Sequence, residues 1–146
     1  MLTDRLFIVA VDGSESALRA ARFAAHRART LDAPILLVYV IDWSGFEILA
    51  PHQLAERHGE REREIEAAKQ RILEPLAQEF RHGGIKVETL ARHGHPAESI
   101  VQIAREKQAS DVVVGRRGRG KVASLLLGSV SSTLAQITPV PLTIVP

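Results

Sequence analysis

The sequence predicts an α/β fold: one doubly wound domain whose sheet of five parallel strands is covered by helices on both faces. Short apolar runs alternate with longer stretches of helical spacing along the whole chain. The runs Leu6–Val11 and Ile35–Ile41 are almost unbroken in apolar character, as strands buried on both faces require. A glycine-rich segment also follows the fourth apolar run directly, the place where open parallel sheets take their ligands.

Leu6–Val11 forms the first expected strand. Ser14 or Ser16 then caps a helix whose apolar stripe is Ala17, Leu18, Ala21, Ala24 and Ala25. Pro34 introduces the second strand, Ile35–Ile41, and the segment from Asp42 to about Ala55, with Gly45 and Pro51, reads as an irregular connection. A charged helix from about Glu56 to Arg81 carries Ile65, Ala68, Ile72, Leu76 and Phe80 at helical spacing. Pro75 removes a donor there and crowds the carbonyl four residues back, so a kink or break is expected. After Gly83-Gly84, Ile85–Leu90 alternates like a strand with one solvated face. Pro96 opens a helix bearing Ile100, Val101, Ile103 and Ala104. The fourth strand is Asp111–Val114, the next helix starts near Ser129, and Pro141–Val145 is the last strand. Right-handed crossovers leave few topologies. The prolines bracketing the last strand favour an edge position, where pairing with a second copy would cover an apolar edge; an unpaired edge blunted by its prolines is the alternative.

A chain of 146 residues is expected to form one domain, 1–146, with 45% apolar and 25% charged residues in the ordinary globular range. Nineteen Lys and Arg against 17 Asp and Glu give a net charge of +2, too balanced for a dedicated nucleic-acid binder. There is no cysteine, which excludes disulfides, thiol catalysis and thiolate metal sites. Neither a signal peptide nor a membrane-length apolar run is visible, so a cytoplasmic location without membrane attachment is expected.

Chemistry concentrates in Gly115-Arg116-Arg117-Gly118, followed after nine residues by Gly128-Ser129. Glycines let backbone N–H groups approach a bound group and tolerate positive φ. Ser129 can cap the next helix, whose free N–H groups and positive dipole end suit phosphate. The hydroxyls of Ser129 and Ser131 are further donors, and Arg116, Arg117, Arg119 and Lys121 either complement a polyphosphate or form a solvated basic loop. Asp12, closing the first strand, suits a ribose or a metal; it suits a turn or helix cap equally. Ala10, Val40, Ile41 and Val114 lie near strand ends and form either a slot for a purine or plain core. Gly115 to Lys121 resembles a P-loop one residue short, but Val122 stands where a magnesium-binding hydroxyl is needed. His93 and His95 flank Gly94 after the third strand, without a third ligand in view.

These residues resemble the universal stress protein family over essentially the whole chain. The resemblance rests on Ile8–Ser16, on Gly94–Ile100, on Asp111–Gly118 continued by Leu127–Ser131, and on Pro139–Val145. The third stretch matches the family's G-x2-G-x9-G-S/T signature. It implies a Rossmann-like domain of the ATP-binding branch, a stress-response sensor or regulatory module that dimerises through the last strand. By position, Asp12 and Gly115 would lie near the ribose, and Ala10, Val40 and Val114 around the adenine. Arg117, Gly118, Arg119, Gly128, Ser129, Val130 and Ser131 would lie along the phosphates of ATP, bound with Mg²⁺. A slow ATP hydrolase or phosphotransferase, and a structural dimer without nucleotide, are the alternatives; Asp12 and His95 are the groups nearest to serving as a base.

Overall fold

A computed structural model of the protein describes residues 4–42, 51–118 and 127–146. In chain order the elements are β1 (Phe7–Ala10), α1 (Glu15–Leu31), β2 (Ile35–Asp42), α2 (Pro51–Ala68), a π-helical turn (Lys69–Leu73), α3 (Glu74–His82), β3 (Val87–Gly94), α4 (Pro96–Glu106), β4 (Asp111–Gly115), α5 (Ser129–Ile137) and β5 (Leu142–Val145). The five strands form one parallel sheet in the order β3-β2-β1-β4-β5. This is the expected single-domain, Rossmann-like arrangement.

Alternate residues of each inner strand feed two separate cores. Phe7, Val9, Ile35, Leu37 and Val113 pack with α1 and α3 on one face. Ile8, Leu36, Val38, Val112 and Val114 pack with α4 and α5 on the other. Burial on both faces is why the strands read as unbroken apolar runs. Small residues set the distance between α1 and the sheet: Ala17, Ala20, Ala21, Ala24, Ala25 and Ala28 are all buried.

Ser14 is the N-cap of α1, its hydroxyl accepting the Ala17 N–H at 3.1 Å. Ser16 is therefore inside the helix. At the other end, Asp32 takes a left-handed conformation (φ 54°) and its N–H returns to the Ala28 and Arg29 carbonyls.

Two local expectations need correction. The helix after β2 already begins at Pro51, so the stretch to Ala55 is partly helical rather than wholly irregular. Strand β3 starts at Val87 and runs to Gly94, which puts His93 inside it rather than beyond it. Its ladder with β2 continues as far as Asp42 and Gly94. The break expected at Pro75 falls just ahead of it, where the α-helix gives way to the π-helical turn Lys69–Leu73 and resumes as α3. The preceding π turn lets the Glu74 N–H reach back to the Lys69 carbonyl, and α3 carries Pro75 in its first turn, where no donor is needed. The wider turn absorbs the ring that would otherwise crowd the Arg71 carbonyl.

Among the described residues no helix is long and apolar enough to cross a membrane. Strand β5 lies at one edge of the sheet, hydrogen-bonded to β4 alone, with every residue half-buried. Strand β3 is the other edge, and α2 is fastened to it where Glu64 meets His93 Nε2 at 2.8 Å. That hydrogen bond holds the Glu64 carboxyl below its ordinary value.

A candidate ligand pocket at the switch point of the sheet

Chain order reverses between β1 and β4, so their carboxyl ends diverge into a crevice. A pocket of about 390 Å³ opens there. Its lining includes Ala10, Asp12, Val40, Val114, Gly115, Arg117, Gly118, Gly128, Ser129, Val130 and Ser131. These are the residues that the family resemblance puts around a nucleotide, apart from Arg119, which with Lys121 lies outside the described residues. Arg116 is exposed and does not line the pocket.

Each wall follows from the local sequence. Ala10, Val40 and Val114 share the sheet face that packs with α4 and α5, and they make one apolar end. Ile41, the next residue along β2, turns to the opposite core, so the slot contains Val40 without it. Pro96 and Ile100, one helical turn apart on α4, also line the pocket, as do Tyr39 and Asp42 from β2. Sequence reasoning missed these four. Their signal was available in part: Asp42 ends its strand as Asp12 follows the first.

The other end is polar. The first backbone bond of α5 runs from the Ser132 N–H to the Gly128 carbonyl at 3.0 Å. The N–H groups of Ser129, Val130 and Ser131 precede it and have no intrahelical partner. The cap is Gly128, with no side-chain hydrogen bond, so Ser129 opens the helix and does not cap it. Asp12 stands opposite. Its Oδ1 accepts the Ser14 N–H at 2.9 Å, the turn role foreseen as one alternative.

The glycines act by close approach. None of Gly115, Gly118 and Gly128 has a positive φ. A Cβ on Gly115 would lie 2.5 Å from Ser16 Oγ and 2.8 Å from the Ser16 carbonyl carbon. On Gly118 it would lie 2.5 Å from Asp12 Oδ2, and on Gly128 3.2 Å from the Arg117 Cα. The loop is thus folded tightly onto the start of α1, the Asp12 carboxylate and itself. At its base a hydrogen bond 2.8 Å long runs from the Gly128 N–H to the Arg116 carbonyl.

Among the described residues the histidines form no metal site. His93 is paired with Glu64, and His95 precedes α4 as an exposed N-cap without a side-chain bond. Among the described residues no three His, Asp or Glu side chains gather as metal ligands would.

A parallel sheet with a pocket at its switch point, walled by strand ends and the N-terminus of α5, defines a doubly wound α/β domain. The chain belongs to the universal stress protein family, whose sequence profile matches residues 5–146. It is 30% identical to the universal stress protein YxiE of Bacillus subtilis, with 94% of this chain and 96% of that protein aligned. Among solved structures, universal stress protein UspA from Lactobacillus plantarum superposes with a TM-score of 0.84 over 98% of both chains at 20% identity. A universal stress protein in complex with cAMP superposes with a TM-score of 0.67 at 25% identity, covering 97% of this chain and 95% of that one.

Proposed function

We propose that the pocket binds an adenine nucleotide, ATP with Mg²⁺, and that the protein is a regulatory module of the ATP-binding branch of its family. The observation that carries this is the division of one pocket into two chemically different ends. The slot of Ala10, Val40, Val114 and Ile100 suits the flat apolar faces of a purine. The N–H groups of Ser129, Val130 and Ser131 suit an acceptor-only phosphate, helped by the positive end of α5. Asp12 and Gly115, which also line the pocket, would take the role of ribose neighbours, and Arg117, Gly118 and Gly128 would border the phosphates, with Arg119 following in sequence. The cAMP complex of a structural relative supports adenine as the base.

Signalling would pass through a homodimer formed on the β5 edge, Pro141–Val145, in the cytoplasm. The half-buried Leu142, Ile144 and Val145 support that edge as a contact, since an apolar edge strand left open invites pairing. Nucleic acid is not the expected partner, given a net charge of only +2.

Titration calorimetry of nucleotide-stripped protein with Mg-ATP tests the central claim, run beside Gly118→Asp. In that variant a new carboxylate grows from a position 2.5 Å from Asp12 Oδ2 and repels both Asp12 and phosphate. Saturable binding by the wild type and its loss in the variant are expected. A folded wild-type protein that takes up no adenine nucleotide would refute the proposal. Multiple-turnover assays of the same samples decide whether the bound nucleotide is hydrolysed.

A further inference from the structure

Ser131 stands apart from the other candidate residues because its side chain is already engaged. It is only 2% exposed. Its hydroxyl lies 2.8 Å from the Arg116 carbonyl and 3.2 Å from that of Gly128. A serine hydroxyl has one proton, and the nearer carbonyl is where it goes. The Arg116 carbonyl takes a second donor, the Gly128 N–H at 2.8 Å, while the Arg116 N–H reaches the Val145 carbonyl at 2.7 Å. The backbone of one residue, Arg116, therefore joins the end of β5, the closure of the glycine loop and the first turn of α5.

That arrangement limits what Ser131 offers a phosphate. Phosphate oxygens at neutral pH accept hydrogen bonds and cannot donate, so the lone pairs of Oγ are of no use to them. Only the proton would help, and it is committed to Arg116. The backbone N–H of Ser131 remains, with those of Ser129 and Val130.

We propose that Ser131 is a positioning residue: its hydroxyl latches the Arg116 carbonyl and so fixes the Arg116–Gly118 turn against the N-terminus of α5, while Oγ makes no contact with ligand. The proposal keeps Ser131 along the phosphates, as the family resemblance implies, but replaces the donor role that the sequence offered for its hydroxyl, and it rests on the adenine-nucleotide reading of the pocket. The latch holds whichever phosphates are present, because it sets the donors as a group rather than contacting one of them.

The test uses the full chain and Ser131→Ala, which removes the latch but leaves the Arg116 carbonyl its Gly128 partner. A single buried hydrogen bond of this kind contributes about 1 kcal/mol, so the variant is expected to fold. Two readouts are taken. In the absence of nucleotide, amide hydrogen exchange of Gly128 is expected to accelerate about fivefold in the variant, the fold-change of one such bond. In titrations, AMP, ADP and ATP are expected to weaken by a similar factor of about five, while adenosine, which has no phosphate, binds both proteins equally. Unchanged exchange at Gly128 would overturn the latch. Weakening confined to one phosphate chain length would overturn the positioning role and place Oγ on that phosphate. If the wild type binds no adenine nucleotide, the functional proposal fails while the exchange measurement still decides the latch.

Discussion

Gly115→Ala is the sharpest test of how the loop is seated. The new methyl would sit 2.5 Å from Ser16 Oγ, 2.8 Å from the Ser16 carbonyl carbon and 2.9 Å from its oxygen. The hydroxyl can rotate away, but two of these atoms are backbone in the first turn of α1. Ordinary contact requires the helix start or the end of β4 to retreat by about half an ångström in an interior packed to crystal density. Both are pinned: Ser14 caps α1, and the Arg116 N–H is bonded to Val145. Overpacking of this kind costs about 1–3 kcal/mol. Replacing glycine also restricts the unfolded chain, which offsets about 0.4–1 kcal/mol, since φ at Gly115 is one that alanine accepts. The steric effect wins, and a net loss of about 1–2 kcal/mol is expected. For a domain of this size that lowers the melting temperature by about 3–6 °C. Urea unfolding followed by circular dichroism, with an unchanged slope, measures it. A variant as stable as the wild type, within about 0.5 kcal/mol, would refute the close approach of β4 and α1.

Further outcomes follow from single contacts. Ser14→Ala removes the α1 cap and is expected to cost about 1 kcal/mol in the same unfolding assay, whereas Ser16→Ala, inside the helix, should cost less. Glu64 is held below its ordinary value of 4.5 by His93, so its contribution to stability is present above that pH and is lost as acid protonates it in the folded state. Glu64→Gln should flatten the acid limb of the stability–pH profile; an acid limb identical to the wild type would show that α2 is not fastened there. Glu79→Ala breaks an exposed bidentate pair with Arg22 and should leave the urea midpoint close to that of the wild type, because solvent screens the pair.

The legible parts of the sequence were those governed by local periodicity. Phe7 and Val9 face one core and Ile8 the other, and a strand buried in this way announces itself as an unbroken apolar run. The location of the pocket was legible for a related reason: a glycine loop after a parallel strand can only emerge at the carboxyl end of the sheet. Its internal contacts were not. Gly115 meets Ser16 and Gly118 meets Asp12 across about a hundred positions of sequence, so spacing pointed to conformational freedom where the cause is steric approach. Ser131 read as a free hydroxyl because its partner, a backbone carbonyl at Arg116, has no side-chain signature. Pro75 illustrates the converse. It foretold an interruption of the helix, but the form this takes, a π turn over Lys69–Leu73, is unmarked by any composition.

Whether adenine and phosphate occupy the two ends assigned to them is measured most directly by nuclear magnetic resonance on the labelled protein during titration with Mg-ATP. The account predicts that the amides of Gly118, Gly128, Ser129, Val130 and Ser131 shift together with the methyl groups of Val40, Val114 and Ile100. It predicts further that adenosine moves the methyls but leaves the α5 amides nearly in place. Saturation that shifts resonances elsewhere and leaves both sets unmoved would contradict it.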